Sequence, residues 1–140
     1  MSQPYVVDCS FVMAFLLGED EGERMEAVLR QTVKQGGLLH APGLLPYEIN
    51  NVLTIAHRKK RITDRERQEM LDDFFLLPVR CDALIDPHVH RRIGTFAKEH
   101  QLTAYDAAYL ELADRISAKL LTLDNDLLKL RPKCPKNFVK

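Results

Sequence analysis

The residues best suited to chemistry are acids set near helix starts. Asp8 follows the apolar run Tyr5-Val6-Val7 and precedes Cys9-Ser10. Glu48 lies in Pro46-Tyr47-Glu48-Ile49-Asn50-Asn51, and Asp106 in Thr103-Ala104-Tyr105-Asp106. Asp124 and Asp126 follow a second apolar run, Leu120-Leu121-Thr122-Leu123. An Asp at the carboxyl end of a buried strand, against a helix N-terminus, stands where an open α/β sheet places its ligand. Acids gathered without basic partners repel one another. Such a cluster makes chemical sense around Mg²⁺ or Mn²⁺, which favour carboxylate oxygens and water.

Each acid also has a purely structural explanation. Glu48 falls inside the apolar arc of its helix, where a lone carboxylate is costly unless paired, protonated or metal-bound. It can equally stand at the edge of that face and reach out to solvent or to an Arg. Asp106 fits a capping box with Thr103. Asp124 fits the N-cap of the short apolar segment Leu127 to Leu130. Four such acids at one end of one sheet are harder to explain structurally than any one of them.

The elements that must position these acids alternate along the chain. Tyr5-Val6-Val7 reads as a short buried strand. Ser10 is expected to N-cap a helix over Phe11 to Leu17. A second helix, Gly22 to Gln35, carries the stripe Met25, Val28, Leu29 and Val33 and stops at Gly36-Gly37. Leu38 to Ala41 is a weak strand. A helix over Leu45 to Lys60 has Leu45, Ile49, Val52, Leu53, Ile55 and Ala56 on one broad apolar arc. Thr63 and Glu66 form a capping box for a helix through Leu76, and Leu77 to Cys81 is a third strand. Asp86 caps and Pro87 opens a helix to His100. The most apolar helix, Thr103 to Ile116, includes Tyr105 and Tyr109 and should be central. Lys119 to Leu123 is a strand, and Phe138-Val139 fits a short edge strand. Strands alternating with helices predict one α/β domain with a parallel sheet and helices on both faces.

Lys plus Arg and Asp plus Glu each number 20, so net charge gives no hint of a nucleic-acid partner. Any such partner must be held by local charge or by a bound cation. Arg58-Lys59-Lys60-Arg61 is a basic run that suits a solvated helix end and could also hold phosphates. Cys9, Cys81 and Cys134 are far apart and lack C-x-x-C spacing, which suggests a reducing compartment. The N-terminus has no basic region before an apolar run, and the longest clean apolar run, Phe11 to Leu17, is too short to span a bilayer. The expectation is a soluble cytoplasmic protein.

Taken in order, Val-Val-Asp-Cys-Ser at the start, Pro46 to Leu53, Thr103 to Ala113, and Leu121 to Leu127 resemble the PIN-domain ribonucleases, in particular the VapC toxins of prokaryotic toxin–antitoxin pairs. The resemblance covers nearly the whole chain. It implies a three-layer α/β/α fold with a short central parallel sheet. It also implies a divalent-metal site, Mg²⁺ or Mn²⁺, made by Asp8, Glu48, Asp106 and Asp124. Asp126 fits a further acid that can share the role of Asp124. Ser10 matches a family hydroxyl, and Asn51 is a weaker supporting candidate. The implied reaction is endonucleolytic hydrolysis of RNA that leaves a 5′-phosphate and a 3′-hydroxyl. Arg58, Lys59, Lys60, Arg61, Arg91 and Arg92 are candidate phosphate contacts. A cognate antitoxin and a homodimer are implied by resemblance alone. Two alternatives belong to other classes: a phospho-accepting receiver with Asp8 as acceptor, and a PIN-like module that binds RNA or a partner without cutting.

Overall fold

The structure is a computed structural model that describes residues 3–83 and 85–138. Four strands form one parallel sheet: β1 (Tyr5–Val7), β2 (Leu39–Pro42), β3 (Val79–Asp82) and β4 (Lys119–Leu121), in the order β3-β2-β1-β4. Val7 pairs with Leu121, Val6 with His40 and Ala41 with Cys81. Parallel pairing puts all four carboxyl ends on one edge of the sheet. The Asp8 amide continues the ladder to the Leu121 carbonyl at 3.3 Å, which sets Asp8 beside Thr122. Val6 and Val7 are fully buried, as expected for a strand covered on both faces.

Among the described residues, seven α-helices flank the sheet: α1 (Cys9–Leu16), α2 (Gly22–Lys34), α3 (Leu45–Arg58), α4 (Asp64–Leu76), α5 (Pro87–His100), α6 (Ala104–Arg115) and α7 (Asn125–Leu128). With the sheet they make the three-layer α/β/α arrangement. Helix α6 lies against β1, β2 and β4 and carries α5 outside it. Its residues Ala107 to Ala113 are all buried, and its alanines allow the close approach to the sheet. Helix α1 packs on α2 and also touches α3 and α4. The capping box expected at Thr63 and Glu66 is complete on both sides.

Several expectations need correction. Asp8, not Ser10, caps α1: its extended backbone (φ −102°, ψ 176°) precedes the helix and its carboxylate accepts from the Phe11 amide at 3.0 Å. Ser10 sits inside the first turn. Only the narrow stripe Leu45, Ile49 and Leu53 of α3 reaches the core, while Val52 and Ile55 stay 39% and 38% exposed. The arc was broader than what covers it. Tyr105, in the first turn of α6, is exposed although the rest of the helix is central. The last helix starts at Asn125, directly after its cap Asp124. Phe138 makes an isolated parallel bridge to Leu120, and Val139 lies outside the described residues.

One buried group escaped the sequence reading. Glu111 has no exposed surface, and it accepts from Arg115 Nε at 2.7 Å. Arg115 Nη2 in turn donates to Asp82 at 2.6 Å. The pair is satisfied and ties the end of α6 to the end of β3. The three cysteines are free, and among the described residues no helix is long and apolar enough to cross a membrane.

The turn from β2 into α3 depends on Gly43. A β-carbon there would stand 2.6 Å from the Asp82 carbonyl oxygen, a backbone atom that cannot swing aside. Gly43→Ala is therefore expected to cost about 1–3 kcal/mol in urea unfolding. An unchanged unfolding free energy would show that this loop has slack.

Candidate active site

Asp8 is the centre of a hydrogen-bonded network at the carboxyl edge of the sheet. It is only 4% exposed. Its Oδ1 accepts from the Phe11 amide and from Ser10 Oγ, the latter at 2.6 Å, and its Oδ2 accepts from the Thr122 hydroxyl. Both hydroxyls also accept. Ser10 Oγ takes the Leu123 amide at 2.9 Å, and Thr122 Oγ1 takes the Asp124 amide at 2.9 Å. The segment after β4 thus hangs on Asp8 through two hydroxyl relays.

Asp124 caps α7, and its Oδ1 accepts from the amides of Asp126 and Leu127. Carboxylate oxygens of Asp106, Asp124 and Asp126 lie within 4.8 Å of one another. Asp106 stands in the first turn of α6, where its amide is capped by Thr103 Oγ1 at 3.1 Å. The reciprocal backbone bond that completes the box at Thr63 and Glu66 is not made here; the Asp106 carboxylate meets the Thr103 side chain and otherwise faces the cluster. Glu48 comes from the first turn of α3, and its Oε1 accepts from Tyr109 Oη of α6 at 2.5 Å. It is half-buried and held by a phenol instead of an Arg.

The electrostatics follow from this placement. Burial raises the Asp8 carboxyl above its ordinary value, against the lowering effect of its three donors, and the Asp124 charge adds to the rise. Burial raises Glu48 as well, with the charges of Asp106, Asp8 and Asp124 acting in the same direction. Asp106 is raised by burial and then by Asp124, Asp8 and Asp126. The Cys9 thiol, between Asp8 and Ser10, is pushed up to about 12 by burial and by the Glu48 and Asp8 charges, so it stays protonated. Among the described residues, Asp8, Glu48, Asp106 and Asp124 have no cation paired with them. Asp126 meets Lys129 at 3.6 Å on the surface. An all-oxygen, net anionic donor set of this kind suits a hard divalent cation.

The acids singled out in the sequence therefore share one electrostatic environment, fed from β1, α3, α6 and the β4–α7 turn. Ser10 is brought to them as a bridge. Asn51 is exposed and lines a cavity with Glu48 and Asp106. The basic residues are not brought in. Arg58 lies ten residues beyond Glu48, about 15 Å along α3, and Lys59, Lys60 and Arg61 follow it, all exposed. Arg91 is exposed. Arg92 is engaged by Asp114 at 2.9 Å and stacks over Phe96, near the far end of α6 from Asp106. Two supporting residues were missed, Thr122 and Tyr109. A hydroxyl inside an otherwise apolar strand end, and an aromatic hydroxyl three residues after Asp106 on one helix, were the available signals.

The PIN domain family model matches residues 5–132. The chain belongs to the PIN-domain family. It is 32% identical over 127 residues to "Ribonuclease VapC3" of Pyrobaculum aerophilum, covering 91% of this chain and 94% of that protein. It is 33% identical over 123 residues to "Ribonuclease VapC1" of Mycobacterium tuberculosis, covering 87% and 86%. The crystal structure of PAE2754 from Pyrobaculum aerophilum superposes with a TM-score of 0.63 at 26% identity, covering 92% of this chain and 86% of that one. The PIN fold and the VapC likeness expected from the motifs thus hold, and the receiver alternative falls.

In this PIN domain the raised carboxyl values carry a pH signature. A group whose folded pKa is raised adds stability at low pH and loses it as pH rises through the folded value. Glu48 therefore weighs on the metal-free protein at neutral pH and is relieved as pH falls toward the ordinary carboxyl value. His40, held below its ordinary value by burial, acts in the opposite sense over part of the same range. A comparison with Glu48→Gln, which still accepts from Tyr109, removes that background. In EDTA, Glu48→Gln is expected to melt a few degrees above wild type near pH 7, with the gap closing toward about pH 4.5. A gap independent of pH would show that Glu48 carries no such strain.

Proposed function

We propose that this PIN domain is a divalent-metal-dependent endoribonuclease of the VapC type, neutralised by a cognate antitoxin and assembled as a homodimer. The observation that carries the reading is the convergence of the Asp106, Asp124 and Asp126 carboxylates beside the buried Asp8, with no cation paired to the central acids. The relatives' names support the substrate class, RNA, and the antitoxin rests on the resemblance to VapC toxins.

Asp8, Glu48, Asp106 and Asp124 are the residues that would hold Mg²⁺ or Mn²⁺, with Asp126 sharing the place of Asp124. When bound, such an ion supplies charge reversal toward the phosphodiester, a lowered pKa for bound water and stabilisation of the leaving oxygen. The chain's own residues fix the geometry. Ser10 and Thr122 orient both oxygens of Asp8. Tyr109 holds Glu48 Oε1 toward α6, and the α7 amides hold Asp124 Oδ1. The exposed Arg58 to Arg61 run serves affinity for longer RNA and not the chemical step.

Cleavage of RNA should stop in EDTA and return with Mg²⁺ or Mn²⁺. Asp106→Asn should lower it by at least about a hundredfold while leaving the protein folded, and should abolish the growth defect caused by expression. Undiminished cleavage in EDTA would defeat the metal mechanism. A folded wild type that binds RNA but never cuts it with either metal would make the protein a non-cutting module. Changing Lys59, Lys60 and Arg61 to Ala should flatten the salt dependence of RNA binding with little change in cleavage at saturation. An unaltered salt slope would make that run a plain solvated helix end.

A further inference from the structure

Two large aromatic side chains flank the acid cluster without being part of it. Tyr47 precedes Glu48 in the first turn of α3 and is 79% exposed. Tyr105 precedes Asp106 in the first turn of α6 and is 67% exposed. Both line one open cavity of about 390 Å³, together with Glu48, Asp106, Asn51 and Thr103. Neither phenol has a hydrogen-bond partner among the described residues. By contrast Tyr109, on the same helix as Tyr105, is buried and bonded to Glu48. The exposed pair therefore presents largely uncovered ring surface on the rim of the site, and Tyr47 also borders a second cavity formed with α5 and α6.

We infer that Tyr47 and Tyr105 form a stacking platform for an unpaired nucleobase next to the scissile phosphate, and that Asn51 presents its amide to that base's edge. The inference rests on the ribonuclease reading and deepens it by naming the side chains that meet the base beside the scissile bond. The geometry favours a base over other occupants for a plain reason. A phosphodiester held by a divalent ion at Asp106 and Glu48 would carry its flanking nucleotides past the cavity that the two tyrosines line with these acids. A base can meet a ring there only if it is unstacked from its neighbours, which a duplex forbids. Base–aromatic stacking tolerates any sequence, because every base has a π-face. An amide beside the platform adds donors and acceptors that can discriminate among bases. A metal-loaded acid site reads only the phosphodiester, so the rings supply contact to the base beside it.

The test is binding, measured by fluorescence anisotropy in Mg²⁺ with Asp106→Asn as the non-cutting parent. The probes are a labelled single-stranded oligoribonucleotide, the same oligomer with abasic positions in its middle, and its blunt duplex. The parent should bind the intact single strand about tenfold more tightly than the abasic one, and the duplex more weakly still. Tyr47→Ala and Tyr105→Ala should each weaken intact-strand binding by about that factor and should lose the distinction from the abasic strand. Tyr47→Phe and Tyr105→Phe should retain parental binding, since they keep the ring. Equal binding of intact and abasic strands, parental binding by the alanine variants, or phenylalanine variants as weak as alanine would each overturn the inference. Alanine variants that bind RNA normally but sediment as a smaller species would assign the rings to a protein interface, and would also overturn it. A wild type that cuts no RNA would defeat the ribonuclease reading, while the binding comparison would still read the rings.

Discussion

A carboxylate taken almost wholly out of water at the end of the central strand is the constraint from which the rest follows. Asp8 could not lie there unpaired, because desolvating an ionised group without compensation is among the costliest things a fold can do. Three donors meet it, one from the α1 backbone and two from hydroxyls. Each hydroxyl then accepts a backbone amide from the segment after β4. The parallel register of Val7 with Leu121 makes this possible, because it sets Asp8 and Thr122 at one level. The same relays place Asp124 and the start of α7, so the position of the second half of the site is inherited from the first.

The acids are also all at helix beginnings. Asp8 caps α1, Asp124 caps α7, and Glu48 and Asp106 occupy the first turns of α3 and α6. Four helix N-termini bring partial positive charge from their first-turn amides toward the same cleft. This opposes the mutual repulsion of the acids without introducing a side-chain cation that would compete for them. The folded chain can hold the cluster ready because backbone dipoles, which cannot dissociate, do part of the work that a cation would otherwise do.

Much of this was legible in the sequence, and the parts that were not share a cause. The order of elements, the capping box at Thr63 and the set of acids follow from local patterns, which local residues decide. The choice of Asp8 over Ser10 as cap turned on a contact far away in the chain, since Ser10 was needed by Leu123. Thr122 and Tyr109 acquire their roles only when β4 meets β1 and α6 meets α3. The exposure of Val52, Ile55 and Tyr105 was misjudged because periodicity tells which face of a helix is apolar and says nothing of how wide a neighbour covers it. Glu111 looked like one more residue on an apolar helix, and its partner Arg115 is fixed by Asp82 from another element.

The two kinds of acid differ in what the protein loses with them. Asp8 and Asp124 are structural joints as well as ligand candidates, and their oxygens are already committed to amides and hydroxyls. Asp106 carries less of this duty: Thr103 caps its amide, and among the described residues its carboxylate bonds no backbone amide. In a lineage under pressure to silence the site, inactivation is therefore not equally accessible at every position. Changes at 8 and 124 also remove hydrogen bonds that hold α1 and α7, so they cost stability together with the site. Changes at 106 leave an intact shell that still presents its surfaces to whatever the active form met. The fold thus offers single-step changes, Asp106→Asn and Glu48→Gln, that remove a carboxylate from the cluster while leaving the shell that surrounds it in place.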